Sequence, residues 1–357
     1  MKICFFGDAQ SIHVQKWCQH FYKTGNEVSL ISFRKKDMPN IDIYHVDVGP
    51  ISPAGGNWKV LLKVFHIKKL LKKINPDIFH AHYATSYGVT AALINYKPFV
   101  VSTWGSDILI SPQKSIMIRL LLRFAFKRAS RITVVADHML KDVFKLGVNQ
   151  EKTTVITHGV DTSLFKELKK EKEVNFTVVC TRNLEEVYNH KSLIMAFAIA
   201  LKKDPSMRLK IIGDGSLKED LIRFSEKKGI IEKVFFVGRI NQKEMVVHLN
   251  QSHLFVSFSK SDGDVVSIVE AMSCGLPCIG SDIPANRLWI SNNKNGFLIP
   301  LSEVDKLSES ILKAKRDYKE LVYSSSRYNA EIIKGKGNWD SNMKKAIEMY
   351  NCILKQV

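Results

Sequence analysis

Short apolar runs alternate with stretches of helical periodicity along most of the chain. In the first half, Lys2–Phe6, Glu27–Ser32, Ile78–His80, Phe99–Ser102, Arg131–Val135 and Thr154–Thr157 predict strands. Helices are predicted between them over roughly 12–24, 59–74, 115–129 and 137–146. Phe165–Val174 (FKELKKEKEV) is a polar, charge-rich connector, after which the alternation restarts. Phe176–Cys180, Arg208–Ile212, Lys233–Val237, Leu254–Ser257 and Pro277–Gly280 are the strands of the second half, and Asn338–Leu354 predicts a final amphipathic helix. Alternation of this kind means βαβ units and parallel sheets. The expectation is an α/β chain of two doubly wound, Rossmann-like domains, 1–166 and 167–337, followed by a helix over 338–357. A length of 357 residues agrees, being too great for one ordinary core. Two such sheets facing each other bring the carboxyl ends of both strand sets to one cleft, where ligands of open α/β sheets bind.

Composition narrows the class. No apolar run reaches the ~20 residues of a membrane span, and MKICFFGDAQ holds too few apolar residues before Gly7 and Asp8 for a signal peptide. The six cysteines (4, 18, 180, 274, 278, 352) form no CxxC pair and have no nearby His at metal-ligand spacing. They read as buried thiols of a reducing cytosol. The expected place is therefore cytoplasmic, peripheral at the inner face of the membrane.

The membrane enters through the charge. A net charge of +18 implies an anionic partner. Residues 59–73 carry Lys59, Lys63, Lys68, Lys69, Lys72 and Lys73 without an acid, while Val60, Val64, Ile67, Leu71 and Ile74 repeat at one-face spacing. Arg119, Arg123, Lys127 and Arg131 recur every four residues, flanked by Ile116, Leu120, Leu121, Leu122, Phe124 and Phe126. Basic amphipathic helices dock on anionic headgroups. Either segment alone is equally a solvated surface face; two together favour a membrane surface or a lipid-linked acceptor. No RNP-like or zinc-finger pattern supports nucleic acid.

The chemistry concentrates in Ser259–Gly280 (SKSDGDVVSIVEAMSCGLPCIG). A strand runs into the loop Ser261–Asp264, and a helix opens near Ser267, ended by Gly275 and Pro277. The backbone N–H groups of Val265, Val266 and Ser267 at such a helix start can point at a phosphate. Asp262 and Glu270 bracket the turn. Glu270 has a second reading, as the closing member of a capping box with Ser267. Asp262-Gly263-Asp264 spells D-x-D, which is weak as a metal signal; no metal and no cofactor beyond the substrate is expected. After Gly7-Asp8 the first strand-to-helix loop has no further glycine, so no dinucleotide G-x-G-x-x-G is present.

The stretch SDGDVVSIVEAMSCGLPCI resembles the E-x7-E region of retaining glycosyltransferases of family 4, which have the GT-B fold. FFGDAQSIHVQKW, PDIFHAHY, STWGSDIL, ITVVADHM, VITHGVDTSLF, TRNLEEVYNHKSLIMAFA, IIGDGSLKEDL and FFVGRI match in the same order, over nearly the whole chain. The resemblance implies a nucleotide-sugar donor in the C-terminal domain, an acceptor in the N-terminal domain, and a last helix returning to the N-terminal domain. It gives Glu270 the donor ribose hydroxyls and the loop amides the diphosphate. Asp262 stands where a Glu contacts the donor sugar, and is one methylene shorter. Arg182 stands where an Arg holds the diphosphate, because the departing nucleoside diphosphate gains negative charge. Tyr188-Asn189 replace a Lys-Gly pair; Asn189 can take the left-handed conformation, and Lys191 is the substitute cation or a solvated lysine. Gly238-Arg239 match a segment whose backbone contacts the donor base. Trp104 replaces a His near the reacting sugar, which leaves Asp107 and His82 as polar candidates, with Gly7 and His13 on the first loop. For His82 the alternative is a satisfied histidine at a strand end. A sugar-nucleotide epimerase and a non-catalytic nucleotide-sugar-binding protein are the rival readings.

Overall fold

The computed structural model describes residues 1–50, 58–168 and 170–356. It divides into two compact units, Met1–His158 with Ser341–Val357, and Gly159–Asp340. The divisions lie at 158/159 and 340/341 rather than at 166/167 and 337/338. Phe165, read above as the start of a polar connector, is buried in the core of the second unit, and Lys169 of that connector lies outside the described residues.

The first unit is built on seven parallel strands, β1 (Lys2–Phe6), β2 (Glu27–Ser32), β3 (Asp42–His45), β4 (Ile78–His82), β5 (Phe99–Thr103), β6 (Arg131–Val134) and β7 (Thr153–Val155), in the order β3-β2-β1-β4-β5-β6-β7. β3 was not legible as a strand, because DIYH lies at the sheet edge and is nowhere fully buried. The helices are α1 (Ile12–Lys23), α2 (Val64–Ile74), α3 (Val89–Ile94), α4 (Ser106–Leu109), α5 (Ser111–Lys114), α6 (Ile116–Arg128) and α7 (Leu140–Lys145). A 3₁₀ turn over Trp58–Lys63 leads into α2, and the predicted apolar face is buried at Val60, Ile67, Leu71 and Ile74. Strand alternation sends Phe5, His80 and His82 to one face, where the rings of Phe5 and His80 meet Trp17 of α1. Phe6 and Phe79 point to the other face, along which α2 packs on α3 and α3 on α6.

The second unit has six parallel strands, β8 (Thr177–Cys180), β9 (Arg208–Ile212), β10 (Val234–Gly238), β11 (Leu254–Ser257), β12 (Cys278–Ser281) and β13 (Gly296–Ile299), in the order β10-β9-β8-β11-β12-β13. β13 escaped prediction because its four residues follow a polar Asn-Asn-Lys-Asn turn. Its helices are α8 (His190–Lys203), α9 (Lys218–Lys227), α10 (Gln242–Gln251), α11 (Val266–Ser273), α12 (Pro284–Arg287), α13 (Val304–Arg316) and α14 (Tyr318–Ile332). The final helix α15 (Trp339–Leu354) belongs largely to the first unit, where the Tyr350 hydroxyl hydrogen-bonds His80 Nδ1 in the core.

In each sheet the strand order turns back once, between β1 and β4 and between β8 and β11. Such switch points leave a crevice beyond the carboxyl ends of the strands. No helix among the described residues is long and apolar enough to cross a membrane.

Candidate active site

At the switch point of the second unit the loop after β8 carries Arg182, and the loop after β11 carries Asp262. The Arg182 side chain is only 11% exposed. Nη2 donates to Asp262 Oδ2 in a close ion pair, and Nη1 donates to Ser267 Oγ at 3.1 Å. The guanidinium lies over the Tyr188 ring, 4.2 Å from its centroid, a cation–π contact that fixes its plane. Nε is buried without a hydrogen-bond partner among the described residues, the kind of donor an incoming ligand satisfies. Burial raises the Asp262 carboxyl above its ordinary range, while Arg182 and the Gly263 N–H pull it back.

The local sequence explains why these groups meet. Gly213, after β9, has φ +146°, and a Cβ there would stand 2.5 Å from the Arg182 carbonyl oxygen. Only glycine lets the β9 loop run this close beneath Arg182. Lys260 N donates to the Val187 carbonyl at 2.8 Å and Lys260 pairs with Glu186, joining the β8 and β11 loops. Asn189 is left-handed (φ 53°, ψ 42°), ending the turn that presents Tyr188.

α11 begins without a side-chain cap. Its N-cap is Val265, followed by Val266 and Ser267 as the first two helical residues. The capping box of Ser267 and Glu270 is therefore not formed; Ser267 sits inside the helix and accepts from Arg182 instead. Glu270, one turn on, is half-buried, and its charge acts on Arg182. The first N–H groups of a helix have no intrahelical partner, so a guanidinium, a hydroxyl and a helix start converge with carboxylates on either side. Lys191 is exposed at the start of α8. Gly238 ends β10 with φ +83° and accepts from Gly213 N, and Arg239 beside it is exposed.

The first unit brings His13, His82 and Trp104 together, with His158, which the sequence reading did not single out. Trp104 stands 5.6 Å from His13, 5.4 Å from His82 and 5.7 Å from His158 between ring centroids. His13 and His158 stack at 4.2 Å. His158 was hidden in VITHGVDTSLF, where it follows a strand as many structural residues do. Burial holds His82 and His158 far below the usual imidazole range, helped by their imidazole neighbours. Gly7 passes so close that a Cβ would lie 3.3 Å from His82 Cβ.

Two expectations need correction here. His82 is not a satisfied histidine: it is fully buried and neither ring nitrogen has a hydrogen-bond partner among the described residues. That description fits His80, bonded to Tyr350 and to Ser102 Oγ. Asp107, read as a catalytic candidate, is fully buried and spends its carboxylate on backbone N–H groups. Oδ1 accepts from Trp104 and Gly105 at 3.0 and 2.9 Å, and Oδ2 from Ala84 at 2.8 Å. It positions the turn that carries Trp104.

Compared with known proteins, residues 2–136 match the family described as Glycosyl transferase 4-like, and residues 161–335 match Glycosyl transferases group 1. The chain is a group 1 glycosyltransferase. This transferase is 23% identical over 311 residues to the N-acetyl-alpha-D-glucosaminyl L-malate synthase of Bacillus anthracis, covering 82% of this chain and 81% of that one. It is 28% identical over 296 residues to the UDP-Gal:alpha-D-GlcNAc-diphosphoundecaprenol alpha-1,3-galactosyltransferase of Escherichia coli, covering 78% and 76%. The solved sucrose-phosphate synthase of Thermosynechococcus elongatus superposes with a TM-score of 0.88 at 14% identity, covering 99% of each chain. The architecture is GT-B.

Proposed function

We propose that this glycosyltransferase takes a uridine diphosphate sugar in its second unit and transfers the sugar, with retention at the anomeric carbon, to a lipid-linked acceptor at an anionic membrane surface. The observation that carries the donor half is the buried Arg182 guanidinium at the uncapped start of α11. There the amides of Val265, Val266 and Ser267 and the guanidinium receive the diphosphate, while Glu270 receives the ribose hydroxyls. Negative charge grows on the diphosphate as the sugar departs, and preorganised donors stabilise it. Because the leaving phosphate can itself accept the acceptor's proton, no imidazole base is needed where Trp104 stands. Asp262 turns to the donor sugar. Gly238-Arg239 border the base and Lys191 remains a peripheral cation. Arg182 and the helix amides supply the charge, so the transfer is read as metal-independent.

The acceptor half rests on Trp104 and on likeness. Its indole, ringed by His13, His82 and His158, offers a flat apolar face with polar neighbours, the composition of a sugar-binding surface. The galactosyltransferase relative acts, by its name, on a diphosphoundecaprenol-linked sugar. The test is a panel of nucleotide sugars with a sugar-diphospho-lipid acceptor, with the product's anomeric configuration read by NMR. An inverted product overturns the retaining reading, and a donor consumed without acceptor to give only an isomeric nucleotide sugar points to the epimerase.

A further inference from the structure

The helix layer α2-α3-α6 covers one face of the first unit's sheet, and its composition is lopsided. Six lysines lie within Lys59–Lys73 and four cations within Arg119–Arg128, yet residues 58–74, 84–95 and 111–128 contain no Asp or Glu. The same layer exposes large apolar side chains: Leu62 and Phe65 are 80% and 85% exposed, and Ile116 and Leu120 are 70% and 58% exposed. The buried faces of these helices are already filled by Ile67 and Leu71 in α2 and by Leu122 and Phe126 in α6. So the exposed residues are surplus to the core. Beside α6 a groove of about 370 Å³, within the range of ligand pockets, has an apolar floor including Ile108, Ile116 and Leu120, and a rim of Arg119, Arg123 and Lys145. Its one lining carboxylate, Asp142, pairs with Lys145 at 2.8 Å.

We infer that this layer is a docking face for an anionic phospholipid bilayer. Leu62 and Phe65 at one end and Ile116 and Leu120 at the other enter the headgroup region. The cations lie at the level of the lipid phosphates, and the groove seats one lipid, its phosphate on Arg119 and Arg123. Charge complementarity selects the occupant: a helix layer that contributes no carboxylate of its own, beside a groove whose Asp142 is paired with Lys145, attracts anions, and exposed apolar side chains gain only where a non-aqueous phase meets them. Nucleic acid would use the cations and leave the apolar residues in water. Ile108 stands four residues beyond Trp104 on the turn after β5, so a docked lipid reaches the acceptor side of the unit. The inference rests on the lipid-linked acceptor reading and adds the face by which the enzyme meets its substrate.

The test is cosedimentation of the full chain with phosphatidylcholine vesicles, with and without phosphatidylglycerol, at about 0.1 M and about 1 M salt, where the Debye length falls from ~10 to ~3 Å. Binding is expected only to phosphatidylglycerol vesicles and should fall at high salt. Arg119→Gln with Arg123→Gln should weaken it roughly 25-fold, about fivefold per cation. Leu62→Ser with Phe65→Ser keeps every charge and should weaken it at least about tenfold by the apolar area lost. Equal binding to both vesicle types, no binding, variants that match the parent, or preference for duplex DNA over vesicles each overturn the inference. Uridine diphosphate binding is measured on the same samples. Its loss counts against the donor site, whereas its persistence with failed vesicle binding counts against this face alone.

Discussion

Arg182 and Asp262, eighty residues apart in sequence, hold each other in a nearly buried ion pair at the start of α11. The residue that would grip a diphosphate is thus already gripped. Donor binding must share or replace the Asp262 carboxylate, and an Asp released from Arg182 is free to turn to the sugar. Asp262→Asn is expected to tighten nucleoside diphosphate binding by about an order of magnitude, ~1.4 kcal/mol, while slowing sugar transfer. Arg182→Ala should weaken the same binding about 100-fold or more, as loss of an oxyanion donor does. Calorimetric titration with uridine diphosphate, beside turnover, checks both. Unchanged nucleotide affinity in both variants would remove Arg182 from the site.

Tyr188 supplies a ring beneath the Arg182 guanidinium. Cation–π contacts of this kind contribute about 0.5–2 kcal/mol. Tyr188→Ala should therefore weaken nucleotide binding about 2- to 30-fold, whereas Tyr188→Phe, which keeps the ring, should stay near the parent. Equal losses in both variants would mean that the hydroxyl matters and the stacking does not.

Gly213→Ala places a methyl group against the Arg182 carbonyl oxygen, at a φ that L side chains rarely adopt. The expected cost is about 1–3 kcal/mol, seen as a lowered thermal midpoint, with nucleotide affinity falling as the β8 loop shifts. Gly229→Ala is the control, since φ is positive there but open space surrounds it.

The buried imidazoles predict an acid-sensitive first unit. His82 and His158 are held well below the ordinary value of 6.5, and His80 lies at about 3, burial being the main cause for each. The unfolded chain takes up these protons below about pH 6.5 and the folded one does not. Stability is fully present above that pH and falls as acid is added, by up to ~1.4 kcal/mol per pH unit for each such group. Thermal midpoints measured between pH 8 and pH 5 should decline below about pH 6.5, and His80→Phe or His82→Phe should flatten the slope. A slope unaffected by either variant would place the acid sensitivity elsewhere.

A chelator such as EDTA should leave the transfer rate unchanged, because Arg182 and the α11 amides are read as carrying the diphosphate charge. A rate restored only by a divalent cation would overturn that reading and redirect attention to Asp262 and Asp264.

Much of this was legible in the residues. The 2-versus-3.6 periodicity gave eleven of the strands, since buried parallel strands are continuous apolar runs. The two omitted, β3 and β13, are short and polar-flanked, so their pairing partners define them rather than their own composition. Ser267 and Glu270 were singled out at a helix start, and the resemblance pointed to Arg182 just after a strand. What could not be read was partnership. Tyr188 looked like a lost cation and is a stacking ring. Asp107 was a polar candidate and is a backbone clamp, and the satisfied histidine is His80 rather than His82, because the two share a face and only His80 reaches Tyr350 and Ser102. His158 lies 145 residues from the ring it stacks on, His13, and no local pattern announces such a meeting.

The bond between Tyr350 and His80 has a consequence for how the protein is made. The second unit is an insertion within the first, since residues 341–357 complete a core begun at β1. Residues 159–340 hold their whole core without α15, whereas in the seven-stranded unit His80 Nδ1 lacks its partner until α15 docks. A chain truncated after Asp340 would carry a complete second unit on a first unit that lacks α15, and protease digestion of that truncated chain should release the second unit intact.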